Sequence, residues 1–578
     1  MPASETPNRP SWRPNLIGKR YAVACGHYLA ATAAVRILER GGNAVDAGVT
    51  AAMALAVLQP DIVSFSGVAP TLVYRKKDRT VHSLAGLGWW PQSTDIERLR
   101  AVGEGVVPEG LLRTVMPAAP ATHIEALQHF GSISFEEAAG AAHEIARDGF
   151  AAYPVFVRHL EKFQDKYRRW PSSAAVYLPQ GRPPRVGEIF RQEQLARSIA
   201  GMMQAEREAP GDRAAKLRAA RDYYYKGPIA EGIAAFHHEH RGFVTREDLA
   251  AFEVPVEKSI SCDYKTHQVH SCDTWCQGIS LLQSLKILEG IDLAKLGHNS
   301  PAYIHMVCEA LNLAFADREA YVGDPRFMDV PVAGMLSEKY AASQLARIDR
   351  NKAFGALPLP GKPPGATVEP FIPHLSSYPV AAPGMALDTI YCCVVDAEGN
   401  AYSATLSDNA RDTPVIPSLG GTVSSRGAQG RLEAGHPAEV RPGKRPRLTP
   451  APAIALCNGE FAMGFGTPGG DVQAQAMLQV YLNVHEFGMT VQQAIEQPRF
   501  GTFLFPNSFS PHAIGKFNVE SRLPESTIAA LEKLGHEVRL WSDLTPAAGA
   551  VCAVRRDPDS GWLHAGADPR REAYAIAW

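Results

Sequence analysis

The stretch that decides the fold lies two thirds of the way along the chain, where residues 385–396 read MALDTIYCCVVD. Its second half, Ile390–Val395, is a continuous apolar run that is typical of a β-strand. Residues 396–400 read DAEGN and predict a turn, because Asp, Gly and Asn favour chain reversal. A second strand-like run, Ala401–Leu406, follows. The pattern therefore predicts a pair of strands that begins directly after Thr389.

Thr389 has two very different chemistries, depending on whether the chain is cut before it. Inside a chain a threonine hydroxyl is a poor nucleophile. At a chain start its own α-amine, with an unperturbed pKa of about 7.7–8.0, can take the hydroxyl proton near neutral pH. The two strands alone fit an ordinary strand threonine equally well, so the rest of the chain has to decide between the two.

The segment before Thr389 is rich in proline, with eight prolines between residues 355 and 385. This composition predicts an extended, poorly packed connector. Upstream, Leu29–Gly41 and the alanine-rich Val45–Leu58 predict helices, the second one buried. Thr245 predicts a helix start, and Val472–Glu486 predicts a helix that follows two glycines.

Composition indicates an ordinary globular protein. The chain has 578 residues, 46% of them hydrophobic, and a formal charge of −2, so no excess of positive charge favours nucleic acid. No window approaches the roughly 20 apolar residues of a membrane span. Residues 1–20 are polar and lack a signal-peptide core, which predicts a cytoplasmic protein. Nine cysteines, an odd number, favour free thiols over a disulfide framework.

Five segments along the chain have distinctive sequences. They read LERGGNAVDA at 38–47, GFVTREDL at 242–249, AFADREAYVGDP at 314–325, PGKRP at 442–446 and TPGG at 467–470. These segments resemble motifs of the γ-glutamyltranspeptidase family and occur in the order that the family has them. The resemblance covers nearly the whole chain. It implies a precursor that cleaves itself before a threonine, here between Asp388 and Thr389, to give a large and a small subunit.

The resemblance also implies an α+β fold of the N-terminal-nucleophile hydrolase type. This fold is a four-layer αββα sandwich, with two central antiparallel sheets and helices outside. Residues 1–388 would form the large segment, ending in the connector at about 355–388, and residues 389–578 the small one. Both segments would associate in one fold, and two such heterodimers could pair. The implied partner is a small-molecule amide, without a cofactor, metal, nucleic acid or membrane.

Catalytic roles follow from the same resemblance. Thr389 would be the nucleophile and its freed amine the base. Gly469 and Gly470 suit an oxyanion hole, because glycine lets backbone N–H groups approach a tetrahedral intermediate closely. Ser407 and Asn409 fall where the family places a hydroxyl and an amide that orient the nucleophile and bind substrate, with serine replacing the family's threonine.

Several positions depart from the family pattern. Leu87 takes the place of the arginine that clamps the substrate α-carboxylate, and leucine cannot supply its donors. The carboxylate that binds the glutamyl amine should fall near Gly427 to Gly430, in a stretch (residues 424–430) that reads SSRGAQG and contains no acid. Of the family's paired serines, one hydroxyl remains, at Thr449. These departures predict that amide cleavage is kept while glutamyl recognition is rebuilt, as in cephalosporin acylases and oxamate amidohydrolase.

The same departures suggest how a different acyl group would be held. Leu87 and Trp89 offer an apolar wall, unless they pack in the core. Arg426 could hold a carboxylate or a carbonyl, unless it lies in solvated surface. We therefore expect a self-processing amidohydrolase that acts on a small amide through an acyl-enzyme.

Three other interpretations remain open at this point. One is a genuine γ-glutamyl transferase or hydrolase that acts on glutathione-like substrates, and another is a non-catalytic relative that binds a partner. The third is a metal site among Cys262, His267, His270, Cys272 and Cys276, although a buried strand over residues 266–272 is the favoured alternative. A second histidine cluster, residues 237–240, is expected to be a solvated linker.

Overall fold

The computed structural model describes residues 11–381 and 388–578. The first ten residues and residues 382–387 lie outside the described part, and with them part of the polar N-terminus and the end of the predicted connector. Among the described residues, no helix is both long and apolar enough to cross a bilayer.

Twenty-one strands are numbered here in chain order. They are β1 (Leu16–Gly18), β2 (Ala22–Cys25), β3 (Thr71–Arg75), β4 (Thr80–Leu84), β5 (Phe150–Ala151), β6 (Ile189–Phe190), β7 (Val256–Lys258), β8 (Ile260–Tyr264), β9 (His267–Ser271), β10 (Ile390–Val395), β11 (Ala401–Leu406), β12 (Val415–Ile416), β13 (Gly421–Thr422), β14 (Ala453–Cys457), β15 (Glu460–Gly466), β16 (Phe500–Gly501), β17 (Phe517–Glu520), β18 (Val538–Trp541), β19 (Cys552–Arg556), β20 (Leu563–Ala567) and β21 (Tyr574–Ala577).

The α-helices are numbered in the same way. They are α1 (Tyr28–Glu39), α2 (Ala44–Leu58), α3 (Ile96–Val102), α4 (Ala119–Phe130), α5 (Phe135–Asp148), α6 (Pro154–Arg168), α7 (Pro171–Tyr177), α8 (Glu193–Glu208), α9 (Arg213–Tyr225), α10 (Pro228–Glu239), α11 (Arg246–Ala250), α12 (Gly278–Glu289), α13 (Leu293–Leu296), α14 (Pro301–Tyr321), α15 (Val332–Met335), α16 (Glu338–Leu345), α17 (Val472–His485), α18 (Val491–Glu496) and α19 (Glu525–Lys533).

Two seven-stranded antiparallel sheets form the centre of the molecule. The first has the strand order β21-β2-β10-β11-β3-β4-β7, and the second the order β1-β20-β19-β15-β14-β9-β8. The predicted pair of strands is β10 and β11, which lie side by side in the middle of the first sheet with Ile390 opposite Leu406. Thr389 therefore stands at the very end of a central strand, where the sheet fixes its position.

Side-chain alternation along β10 explains the layers. Ile390, Cys392 and Val394 face a core shared with α1, α2 and α5, whereas Tyr391, Cys393 and Val395 face the second sheet. The outer face of the second sheet packs on α12, α14 and α17. The order is thus helices, sheet, sheet, helices, which confirms the predicted four-layer αββα sandwich.

Local predictions for the helices are confirmed, with ends shifted by one or two residues. Helix α2 is buried along its whole length, as its alanine-rich composition indicates. Thr245 caps α11, where its hydroxyl and the Asp248 carboxylate each bond the other residue's backbone N–H. Helix α17 begins at Val472, directly after the turn that contains Gly469 and Gly470.

The prediction of a solvated linker at residues 237–240 is confirmed for the exposure of residues 238–240 and wrong for the linker and for His237. Helix α10 continues to Glu239, and His237 is fully buried at its end. Proline at the first position of α10 and apolar side chains on one face allow this helix, and burial lowers the pKa of His237 to about 3. The Gly242 N–H donates to the His237 backbone carbonyl and closes the chain over the ring.

The cysteines and histidines around β9 do not come together. Cys262 packs among the helices outside the second sheet, whereas Cys272 and Cys276 pack between the two sheets. Burial raises the pKa of the Cys262 thiol well above its ordinary value and lowers the pKa of His270 to about 4. All nine cysteines lie in the described part of the chain, as free thiols.

The described part of the predicted connector has only one turn of regular structure, Leu375–Ser377. It is nevertheless attached to the body of the protein at several points. The Gly361 N–H donates to the Asp317 carboxylate at 2.7 Å, and the Tyr378 hydroxyl donates to Glu433 at 2.7 Å. Ala381, the last described residue before the gap, donates its N–H to the Ile514 carbonyl at 2.7 Å.

Candidate active site

Thr389 occupies a strained and fully buried position at the start of β10. Its φ is +71°, a left-handed conformation that is rare for a β-branched residue and costs on the order of 1–3 kcal/mol. Its hydroxyl lies 2.6 Å from the Ser407 hydroxyl and 3.0 Å from Oδ1 of Asp388. Its N–H donates to the Ile62 carbonyl at 3.2 Å. The hydroxyl thus faces two oxygen atoms that can accept its proton.

The Asp388 carboxylate bridges Thr389 and a buried arginine. Its second oxygen, Oδ2, accepts a hydrogen bond from Nη1 of Arg426 at 2.9 Å. Arg426 also donates from Nη2 to the Ser407 hydroxyl, so the four side chains form a closed ring of hydrogen bonds. Arg426 is only 1% exposed, which excludes the alternative of a solvated surface residue.

The carbonyl oxygens on both sides of the Asp388–Thr389 bond face a second arginine. Nη1 of Arg571 lies 3.5 Å from the Asp388 carbonyl oxygen and 3.2 Å from that of Thr389. Burial lowers the pKa of Arg571 to about 10, so its guanidinium stays charged at neutral pH. The peptide bond therefore has a positive charge beside its oxygen.

The loop after β11 supplies the next part of the site. Ser407 is held against Val68 by a reciprocal pair of backbone hydrogen bonds at 3.0 Å. Asp408 is fully buried, which raises the pKa of its carboxyl, and it accepts hydrogen bonds from the N–H and hydroxyl of Ser425. Asn409 is 2% exposed, and its side-chain oxygen has no hydrogen-bond partner among the described residues.

The two glycines before α17 have backbone conformations that favour glycine. Gly469 has φ +123° and Gly470 has φ +59°. A methyl group on Gly469 would lie 2.4 Å from the Val472 side chain. Within the described residues, neither glycine N–H is engaged in a backbone hydrogen bond. Two N–H groups are thus available at the start of a helix, where the helix dipole favours negative charge.

A buried network holds this glycine turn in place. Gln277 donates to the carbonyls of Gly470 and Thr449, at 3.1 and 3.2 Å. Arg318 bonds the Gln277 side-chain oxygen at 2.6 Å and Asp471 at 2.5 Å. The turn therefore cannot shift without breaking charged, buried contacts.

A cavity of about 320 Å³ brings these parts together. Asp388, Gly469, Gly470 and Phe509 line it, whereas Thr389 is fully buried and does not. Its lining also contains charged residues of both signs, with cations from Arg113, Lys166 and Arg411 and anions from Glu109 and Asp412. Burial by itself raises the pKa of Asp412. The adjacent arginines have the larger combined effect in the opposite direction, and they bring this pKa down to about 2.

The predicted substrate-binding residues lie in different places. Arg426 belongs to the hydrogen-bonded ring at Thr389. Thr449 is buried beneath the glycine turn, where its hydroxyl accepts a hydrogen bond from Gln429 at 2.8 Å. Leu87 is 1% exposed and packs between the two sheets, and Trp89 packs on Phe252 with ring centroids 4.7 Å apart. Neither Leu87 nor Trp89 is among the cavity-lining residues.

Sequence reasoning missed Arg571, Arg318 and Gln277. Arg571 lies 182 positions from Thr389, and Gln277 lies 193 positions from Gly470. Arg318 falls inside the AFADREAYVGDP segment, so the motif marked it without giving it a role. Nothing in the sequence around Arg571 distinguishes it from the neighbouring Arg570.

One group of buried side chains has the composition of a metal site. His305, Glu309 and His536 have potential ligand atoms within 4.8 Å of one another. Nδ1 of His305 lies 2.8 Å from Nε2 of His536, and Nε2 of His305 lies 2.8 Å from the Asp349 carbonyl oxygen. The two imidazoles thus satisfy each other as hydrogen-bond partners without an ion. This group shares no residue with the cavity.

Comparison with known proteins identifies relatives along the whole chain. The family model described as Gamma-glutamyltranspeptidase matches residues 30–578. The glutathione hydrolase-like YwrD proenzyme of Bacillus subtilis (strain 168) is 29% identical over 572 residues, which are 97% of this chain and 99% of that protein.

Two solved structures are similar in fold. LmbA2991HD superposes with a TM-score of 0.92 at 33% identity and covers 99% of this chain and 100% of its own. The cephalosporin acylase from Bacillus halodurans superposes with a TM-score of 0.85 at 28% identity and covers 100% of this chain and 99% of its own. The fold is therefore that of the N-terminal-nucleophile hydrolases, and the chain is an amide-hydrolysing enzyme that belongs to the γ-glutamyltranspeptidase family.

Proposed function

We propose that the chain cuts itself between Asp388 and Thr389, and that the new N-terminal threonine then hydrolyses a small amide through an acyl-enzyme ester. The observation that carries this proposal is the contact of the Thr389 hydroxyl with the Asp388 carboxylate, at 3.0 Å, in a strained backbone conformation. An ordinary strand threonine requires neither feature.

Self-cleavage would begin with attack of the Thr389 hydroxyl on the Asp388 carbonyl carbon. Oδ1 of Asp388 accepts the hydroxyl proton, and Arg571 stabilises the negative charge that develops on the carbonyl oxygen. The C–N bond then breaks, which leaves an aspartyl ester on the Thr389 oxygen and a free α-amine. Water hydrolyses this ester. Release of the positive φ at Thr389 favours the cut state.

Turnover of an added amide would repeat the same acyl transfer. The freed α-amine of Thr389 takes the hydroxyl proton, and the oxygen attacks the substrate carbonyl. Gly469 and Gly470 line the cavity, and their N–H groups would bind the oxyanion. Ser407 orients the nucleophile through its 2.6 Å hydrogen bond, and the Asn409 side-chain oxygen, which has no partner within residues 11–381 and 388–578, is available to the α-amine or the substrate.

We also propose that glutamyl recognition has been lost. Leu87 packs in an apolar cluster and cannot serve as a carboxylate clamp. Residues 424–430 place Arg426 beside Thr389, and a cation there repels the ammonium group of a glutamyl substrate. Both changes disfavour γ-glutamyl compounds relative to simple acyl amides.

Intact mass is the first test of the proposal. The purified protein should give two fragments that meet at the Asp388–Thr389 bond. Thr389→Ala should remain one 578-residue chain, with amide hydrolysis reduced by at least about 10³-fold. Thr389→Ser, which keeps the hydroxyl, is the matched control and should still be cut. A cleaved or active alanine variant would exclude Thr389 as the nucleophile.

The substrate assay distinguishes the remaining interpretations. Turnover of acyl amides without turnover of a γ-glutamyl anilide supports the proposal. Preference for the γ-glutamyl anilide would identify a glutathione-type enzyme instead. An uncut chain that hydrolyses neither compound would identify a non-catalytic relative.

A further inference from the structure

Arg426 is a buried cation. Its main ionic partner is Asp388, the residue before the bond that is to be cut. Nη1 bonds Asp388 at 2.9 Å, and Nε lies 4.0 Å from Asp408 without a hydrogen-bond partner among the described residues. The guanidinium lies over the Phe509 ring, 5.3 Å from its centroid, and Phe509 lines the cavity. Loss of the Asp388 carboxylate would leave a desolvated positive charge, which is costly without an anion.

Asp388 must leave its place if the cut enzyme is to act on anything else. Its carboxylate lines the cavity and contacts the Thr389 hydroxyl, and Thr389 itself is fully buried. A substrate carbonyl has to come within about 3–3.5 Å of the nucleophile. The position that Asp388 vacates is therefore the position that an acyl group has to fill.

The chemistry of Asp388 defines that acyl group. At the Asp388–Thr389 bond, the carbonyl under attack is joined through two carbons, Cα and Cβ, to a carboxylate. This is the carbon spacing of a four-carbon dicarboxylic acid. We propose, on the basis of the function proposed above, that the cut enzyme hydrolyses amides of short dicarboxylic acids, of which the four-carbon succinamic type fits best. Arg426 binds the free carboxylate in the place of the Asp388 side chain.

The reaction requires no reactant other than the amide and water. The Thr389 oxygen forms an ester with the carbonyl carbon while the C–N bond breaks, and the amine leaves with the proton taken from the hydroxyl. Water then cleaves the ester and gives the free dicarboxylate. Throughout these steps Arg426 keeps its hydrogen bond to Ser407, which itself contacts the nucleophile, so carboxylate binding and nucleophile position are coupled.

The test compares charged and neutral amides on the cut wild-type enzyme. Oxamate, malonamate, succinamate and glutaramate are assayed beside butanamide, which has the length of succinamate without its carboxylate. We expect kcat/KM for succinamate to exceed that for butanamide by at least tenfold and to be the highest in the series. Equal turnover of butanamide and succinamate would overturn this inference and leave the proposed function intact, whereas absence of all turnover and of cleavage would overturn the proposed function.

Variants at Arg426 provide a second test of the inference. Arg426→Met should lower kcat/KM for succinamate on the order of 10²-fold more than it lowers kcat/KM for butanamide, because only the buried carboxylate of succinamate loses a charged partner, whereas the lost contact to Ser407 affects both amides. Arg426→Lys should recover part of the loss. Equal loss for both amides would assign Arg426 a structural role and overturn the inference.

Because Arg426 also holds Asp388, the methionine variant could fail to cut itself, and a measurement on the wild type covers that case. Succinate should inhibit the cut wild-type enzyme competitively and raise its melting temperature, whereas butanoate at the same concentration should do neither. Equal effects of the two acids would again contradict carboxylate recognition.

Discussion

Arginine is buried beside carboxylate in two regions of this molecule, and the two regions differ in what holds the charges. In the Glu319 cluster, one carboxylate accepts hydrogen bonds from Arg318, Arg431 and Arg447. At the candidate active site, Arg426 has one close carboxylate, that of Asp388. The Glu319 cluster is permanent, because none of its members lies at a bond that breaks. The active-site pair would be removable, because the cleavage proposed above frees Asp388 from Thr389.

The pKa of Glu319 shows how strongly the arginines of the permanent cluster stabilise its negative charge. Burial alone raises the pKa of this carboxyl, but Arg447, Arg431 and Arg318 lower it by more, so that it lies well below its ordinary value. The cluster also reaches the glycine turn, since Arg318 bonds Asp471 next to it. In one region the buried charges thus hold the structure in place, and in the other we propose that the buried charge receives a substrate.

The largest expected effect concerns the removable pair. Asp388→Asn should slow self-cleavage by about 10²–10⁴-fold, because an amide cannot take the Thr389 proton. Intact mass measured over time after purification gives the rate. Asp396→Asn, at a buried aspartate in the β10–β11 turn, is the matched control and should be cut at the wild-type rate. An unchanged rate in Asp388→Asn would show that another group is the base.

The next effect concerns the permanent cluster. Glu319→Gln should lower the free energy of unfolding by about 3–5 kcal/mol, because three arginines lose their shared buried counter-charge. Thermal melting and soluble yield measure this loss. Asp388→Asn in the same assay should lose clearly less, since Ser407 and Asp408 still face Arg426. If the two variants were equally unstable, the distinction between permanent and removable charge would fail.

The sequence predicted the parts of this comparison that depend on local pattern. The strand pair after Thr389, the buried helix α2 and the glycine turn before α17 follow from apolar spacing and from residues that favour turns. The four-layer arrangement followed from resemblance rather than from pattern. Leu87 and Trp89 became substrate-binding candidates because of their positions in a motif. The motif did not predict the direction of their side chains, which pack in apolar clusters.

Long-range contacts could not be predicted in this way. Arg571 reaches Thr389 because β21 pairs with β2, which in turn pairs with β10, and no local signal encodes that order. The ion pair of Arg426 with Asp388 spans 38 positions and depends on the loop after β13 folding back on the cavity. The sequence showed Arg426 and the missing acid, but only the fold showed that Arg426 pairs with Asp388, the residue before the proposed cleavage site.

The smallest effect concerns the aromatic rings that cover the arginines. Arg318 lies over Phe315 and Phe505, at 4.6 and 4.7 Å from their centroids, whereas Arg426 lies over Phe509 alone, at 5.3 Å. A cation over a desolvated ring gains roughly 0.5–2 kcal/mol. Phe509→Leu should therefore raise KM for succinamate about two- to thirtyfold, with a smaller change for butanamide. Phe505→Leu, the matched control, should lower the melting temperature and leave the ratio of the two KM values unchanged, since Arg318 belongs to the permanent cluster. A change in that ratio for Phe505→Leu would mean that the two regions are coupled, and that substrate recognition extends through Asp471 into the Glu319 cluster.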